Sequence, residues 1–345
     1  MRRFARSDPA PGPAGRRSSG GEVRLLRFAV ALAVALGVPA PTLGRSARLD
    51  VRGRLVTVGT SPNLMSPGPY AGTFLLGDLD SGWITLRRSS DAQVIQNLYV
   101  GKSTLGLAAS AGGKEIYAAD VHGSNVLILD NRTGGLADSV LVGQSANLVK
   151  VSADGRFLVA TAFDPRLVTL FDRDFDYARR TLVLDDRPAG LAMTRQRFPP
   201  RAYVVGYDRG KIYSLEYNPS VFTVVDTLLT LPGASFIALG PDERTAYVST
   251  GDHKVVALDL DPGFVRREIP VGTDPLGLDV SPDGRYVLVA NSGSASVSLI
   301  ETDRLIVVDE VTVGALPIDV LWVSNGRAYV TLQGDNSLAI VDLVP

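Results

Sequence analysis

The sequence predicts an all-β fold made from seven copies of one four-stranded antiparallel unit, and three observations lead there. A Val-Gly pair returns at Val58-Gly59, Val100-Gly101, Val142-Gly143, Val271-Gly272 and Val313-Gly314, with degenerate copies at Leu184-Asp185 and Leu231-Pro232. The second residues lie 42, 42, 42, 47, 40 and 42 positions apart, a spacing that means a repeat architecture. Within each period, short β-branched and aromatic runs alternate with tight-turn residues, which reads as a meander of strands. Finally, the second run of each unit is almost wholly apolar and the fourth is charged. Sheets buried on both faces, each with a charged outer edge, stack as the blades of a propeller.

The cleanest unit, Thr273 to Gly314, carries the argument strand by strand. Leu276-Gly-Leu-Asp-Val280 is followed by the turn Ser281-Pro-Asp-Gly284. There Pro presets the first φ, Asp bonds back to the backbone and Gly accepts a positive φ. Tyr286-Val-Leu-Val-Ala290 is the second strand, Val297-Ser-Leu-Ile300 the third, and Val307 to Val313 the fourth. The third strands tend to end in an acid: Asp130, Asp172, Glu216, Asp259, Glu301 and Asp342. Blade four departs most, its first turn being replaced by Thr194-Arg-Gln-Arg-Phe-Pro-Pro-Arg201.

Counting units predicts how the ring closes. Six full units separate Gly59 from Gly314, and the 31 residues from Ala315 to Pro345 supply only three strands. The missing strand is expected at the other end, in Leu49 to Val58, so that the N-terminus completes the last blade.

Ahead of the ring, residues 1–44 read as a secretory signal. Arg24 and Arg27 precede an apolar run from Phe28 to Val38, and Thr42-Leu43-Gly44 suits a leader-peptidase site. An 11-residue apolar run is too short to cross a bilayer. Residues 1–22, rich in Arg, Pro, Gly and Ser, suggest a start nearer Val23. The expected organisation is a signal over 1–44 and a propeller over 45–345, periplasmic, secreted or at the cell surface, with no transmembrane segment in the mature chain.

Composition narrows the chemistry. The chain has no Cys, which excludes disulfides, Cys-ligated zinc, attached c-type haem and a cysteine nucleophile. Residues 1–44 hold seven of the 35 basic residues and two of the 36 acids, so the remainder carries a net charge of −6. An acidic body argues against nucleic acid and anionic lipid.

Ser281-Pro-Asp-Gly-Arg-Tyr-Val-Leu-Val-Ala-Asn291 and Arg327-Ala-Tyr-Val-Thr-Leu332 resemble the YVTN-type β-propeller repeats, and the likeness runs over about residues 49–345. The resemblance implies an extracytoplasmic seven-bladed propeller, a family often of unassigned role. Related propellers include surface-layer proteins, sugar-lactone hydrolases and domains that hold redox centres.

Candidate site residues are sought at the channel mouth, on the face carrying the loops into each first strand. Asn63 and Asn147 follow the loop position held by Pro62, Pro188, Pro275 and Pro317; turn-forming Asn is the competing reading. Lys150 and Asp279 break the apolar pattern of the first strands at matching repeat positions and could line the channel from opposite sides. Arg166, Arg187 and Arg209 could bind an anion, although charged loops are usually just solvated. His122 and His253 lie in turns three blades apart and do not converge on a metal. Turn acids such as Asp78, Asp120, Asp208 and Asp335 are expected for backbone reasons and form no calcium loop. No phosphate loop, nucleophile elbow or zinc spacing is present. The expectation is a binding or scaffolding propeller without cofactor or metal, its partner an envelope or surface protein or a small ligand. The alternatives are a lactonase-like hydrolase and a redox-partner domain.

Overall fold

A computed structural model describes residues 47–56 and 58–345. The expected signal segment, with its cleavage site and start, lies outside them. The fold is the expected one: seven four-stranded antiparallel sheets, each a blade with its strands a to d in order from the axis outward.

The last blade is the one built from both ends of the chain. Its strands a to c are Pro317–Ser324, Arg327–Leu332 and Ser337–Val344, and strand d is Arg48–Val56. The pairing runs from Arg48 opposite Val344 to Val56 opposite Ser337. Strand d thus satisfies backbone groups that strand c would otherwise leave open at an edge.

Burial follows the pattern of residue types. Strand b is fully buried in blades five and six, Thr245–Thr250 and Tyr286–Asn291. Strand d is mostly exposed, as in Leu136–Leu141 and Phe264–Pro270. Apolar side chains between neighbouring blades form the core, as in the clusters shared by blades six and seven and by blades one and two. The third-strand acids also have an explanation. The Arg156 guanidinium donates to both carboxylate oxygens of Asp172, and Arg327 does the same to Asp342, tying the start of strand b to the end of strand c.

The Val-Gly pair marks where each strand d ends. The N–H of Val142 donates to the Ser124 carbonyl at 2.8 Å, Val100 to Gly82 at 2.9 Å and Val313 to Ala295 at 3.0 Å. Even the degenerate copies keep the bond: Leu184 donates to Arg166 and Leu231 to Gly210. The repeated residue therefore pins the end of strand d to the turn between strands b and c. At Gly59 the following residue has no room for a side chain, because a Cβ would fall 1.7 Å from Asp78 Oδ2.

Candidate functional site: a charged central channel

The first strands converge on the axis around a cavity of about 540 Å³. Its lining reaches from Leu64 and Gly190 in mid-strand to Ser281, Pro282, Pro241 and Glu243 in the a–b turns, so it opens on the a–b turn face, the opposite end from the loops into each first strand where the sequence places the mouth. Much of the wall is apolar, including Leu148, Leu191, Phe236 and Leu278.

Besides Glu243 at the rim, four charged residues interrupt that wall. Lys150 comes from strand a of blade three, Gln144–Val151, and Asp279 from strand a of blade six, Pro275–Val280. These two line the channel from blades three apart. Asp319, on strand a of blade seven, and Arg195, in the irregular blade-four loop, join them. Neither was legible from the repeat. Asp319 lies two positions earlier in its strand than Lys150 and Asp279 do in theirs, and Arg195 sits where the repeat breaks down.

The carboxylates are held by neighbouring blades. Asp319 Oδ2 accepts the N–H of Met65 in blade one at 2.8 Å, and Asp279 Oδ2 accepts that of Trp322 in blade seven at 2.9 Å. By contrast, among the described residues the Lys150 ammonium and the Arg195 guanidinium have no hydrogen-bond or ion-pair partner. Arg195 is held at the lip through its backbone instead. Glu243 of blade five accepts the N–H groups of Arg195, Gln196 at 3.0 Å and Arg197 at 2.8 Å.

Burial dominates the protonation of these groups. It raises Asp319 to about 7 and Asp279 to about 6, against the pull of the Met65 and Trp322 N–H groups and of Lys150. Burial lowers Lys150, with Arg195 adding to the effect and the two aspartates opposing it. The groups facing one another are thus Lys150, Arg195, Asp279 and Asp319, with Glu243 at the rim.

A stability prediction follows. Both aspartates titrate higher in the native state than in the unfolded chain. Their stabilising contribution is full below about pH 4 and is lost as pH rises through about 6 and about 7. Asp319→Asn, which keeps an acceptor for Met65, should melt with the native protein at about pH 4. It should melt about 3 °C higher at about pH 8. Thermal melts across that range check this, and parallel curves for the two proteins would refute it.

The other candidates lie elsewhere. Asn147 is buried, donating from Nδ2 to the Pro188 carbonyl at 2.7 Å and accepting from the Thr161 hydroxyl at 2.6 Å, so it joins blades three and four. Asn63 is buried as well, and its Oδ1 has no hydrogen-bond partner. Arg187 pairs with Asp208 at 2.9 Å and lies over the Tyr207 ring, while Arg209 reaches Asp185 at 3.2 Å. Arg166 is exposed in the b–c turn of blade three, near Asp208. Together these arginines form a partly neutralised surface cluster, away from the channel. His122 and His253 are exposed, and His253 Nδ1 accepts the N–H of Asp274 at 3.3 Å. Turn acids serve the backbone: Asp78 accepts N–H groups from Thr60, Ser61 and Ser81.

Fold and site together define a seven-bladed β-propeller with a charged channel, and three likenesses bear on it. Residues 202–342 match the cytochrome D1 heme domain family, which is less than half of the chain. The 6-phosphogluconolactonase of Bacillus subtilis (strain 168) is 26% identical over 223 residues, covering 57% of this chain and 62% of that relative. The chain thus spans less than two thirds of that enzyme's length. A chain of the Kuenenia stuttgartiensis hydrazine synthase superposes with a TM-score of 0.73 over 84% of this chain and 98% of that one. At 14% identity, that likeness shows the fold alone.

Proposed function

We propose that this chain is an extracytoplasmic propeller of the YVTN type that acts as a binding module, with the central channel as its ligand site. The carrying observation is the pair of cations, Lys150 and Arg195, without a side-chain partner among the described residues, in a concave cavity of mixed polar and apolar lining with two convergent carboxylates. Cavities of this kind, with a few placed polar groups, suit small ligands. The signal-like leader supports a place in the periplasm or at the cell surface. Among the described residues, no helix is long and apolar enough to cross a membrane. The broad face of turns around the channel suits an envelope or surface protein as a second partner.

Thermal-shift screening of a metabolite library tests the reading. Stabilisation by at least one small molecule, abolished in Lys150→Met, is the expected result. A library without effect, together with a Lys150→Met protein that behaves like the native one, would remove the channel as a ligand site.

A second reading, a lactonase-like hydrolase, is favoured by the likeness to the phosphogluconolactonase. In it, channel carboxyls that titrate near neutrality would serve as acid or base. Turnover of a lactone panel, lost in Asp279→Asn, would support it. The family match raises haem as a third possibility, but the residues do not fit one. The chain's two histidines are exposed turn residues, one of them engaged with the backbone, and the channel offers neither histidine nor cysteine.

A further inference from the structure

Four of the five charges that line the channel are sorted by side, the fifth, Glu243 of blade five, being engaged with backbone N–H groups at the rim. Lys150 and Arg195 belong to the adjacent blades three and four, Asp279 and Asp319 to the adjacent blades six and seven. Among these four, the cations stand on one half of the wall and the carboxylates on the other. Among the described residues no ion pair within 4.0 Å joins the two halves, and the cavity is lined by both. Asp319 is buried, Lys150 and Asp279 are half-buried and Arg195 is exposed at the lip, so the cost of taking charge out of water falls on the first three. Asp319 recovers part of that cost through the N–H of Met65 and Asp279 through those of Trp322 and Val280, whereas the Lys150 ammonium has no partner among the described residues. Asp319 Oδ1 likewise receives no hydrogen bond. A molecule carrying a negative group toward blades three and four and a positive one toward blades six and seven would complement both sides.

We infer that the channel takes a small zwitterion of the α-amino acid kind, its carboxylate held between Lys150 and Arg195 and its ammonium received by Asp279 and Asp319. The inference rests on the channel-binding reading above and names its ligand class. A purely anionic ligand would leave both aspartates short of a counter-charge, and a purely cationic one would leave Lys150 and Arg195 so. The apolar wall of Leu148, Leu191, Phe236 and Leu278 would receive an aliphatic or aromatic side chain. The shifted protonation of Lys150 and of both aspartates is consistent with this: burial moves each toward its neutral form, and the attraction between Lys150 and the aspartates across the cavity only partly opposes it.

The test is calorimetric titration of the full protein with the common α-amino acids. The best binder is then compared with its N-acetyl form, which keeps only the anion, and its amide, which keeps only the cation. Each derivative should bind at least about tenfold more weakly than the parent, the loss of one charged pairing. Asp279→Asn with Asp319→Asn should erase the preference over the N-acetyl form, and Lys150→Met or Arg195→Ala the preference over the amide. The pH response separates the classes further. Below about pH 6 the aspartates are neutral, so the zwitterion should bind more weakly at about pH 5 than at about pH 8. A plain anion would show the reverse. No amino acid binding, or an N-acetyl form that binds as well as its parent, overturns the inference. If another class of molecule then binds in a Lys150-dependent way, channel binding stands and the zwitterion alone falls.

Discussion

Removing the N-terminal strand Arg48–Val56 should lower the melting temperature by about 10 °C and broaden the transition, relative to a chain starting at Arg45. The strand does three things at once. It supplies the whole outer pairing of blade seven, from Val344 to Ser337. It brings Leu49 into the apolar cluster shared by blades six and seven, with Ala47 and Val51 packed against it. It also ties blade seven to the outer strand of blade six, because the N–H of Leu49 donates to Asp309 Oδ2 at 2.7 Å. Burial of these side chains and the lost strand pairing together are worth about 5 kcal/mol. The deletion further exposes Ser337–Val344 as an unprotected apolar edge, so aggregation should accompany the loss. Calorimetry and light scattering on the two proteins would check both effects. Equal melting curves would mean that the ring holds without its closing strand.

That closure is written in the sequence itself, and the reason is physical. A repeat protein writes its architecture once per unit, so blade number, strand order and the split last blade follow from counting. The exposed strands d and buried strands b were legible because burial selects residue type directly. Lys150 and Asp279 were legible as breaks in an apolar register, and the fold brings both to the channel wall. Aligning repeats finds only what shares a register. Asp319 occupies the position that Leu64 and Gly277 hold in other blades, so comparison with Lys150 and Asp279 passes it by. Arg195 depends on a non-local event, the seating of a loop from blade four on Glu243 of blade five. Hydrogen-bond partners are equally hidden in a linear reading. Nothing in the sequence around Asn147 says that its amide is spent on the Pro188 carbonyl, or around Arg187 that Asp208 neutralises it.

The same convergence of inner strands sets the second large effect: Gly277→Val should destabilise the protein by about 3 kcal/mol or more and disturb the channel as well. Gly106, Gly190 and Gly277 share one repeat position, and at each a Cβ would strike the inner strand of the next blade. At Gly106 it would lie 2.6 Å from Leu148 Cα, and at Gly190 2.7 Å from the Ser235 carbonyl oxygen. At Gly277 it would meet Asp319 Cα and the Ile318 carbonyl oxygen at 2.7 Å, and Asp319 Oδ1 at 2.5 Å. Backbone atoms within a hydrogen-bonded sheet cannot step aside as the end of a flexible side chain can, so blades six and seven would have to separate. Because Asp319 is the carboxylate displaced, the variant should also lose its hydrogen bond from Met65 and with it the bracing of blade seven on blade one. The comparison is Gly326→Ala, in the outer a–b turn of blade seven, where a Cβ meets nothing within 4 Å and the change should stay within about 0.5 kcal/mol. Chemical denaturation of the two variants beside the native protein measures both. If Gly277→Val were as stable as Gly326→Ala, the inner strands would have slack that this packing does not contain. The same slack would undercut the account of the channel, in which rigid inner strands hold opposite charges apart across the cavity.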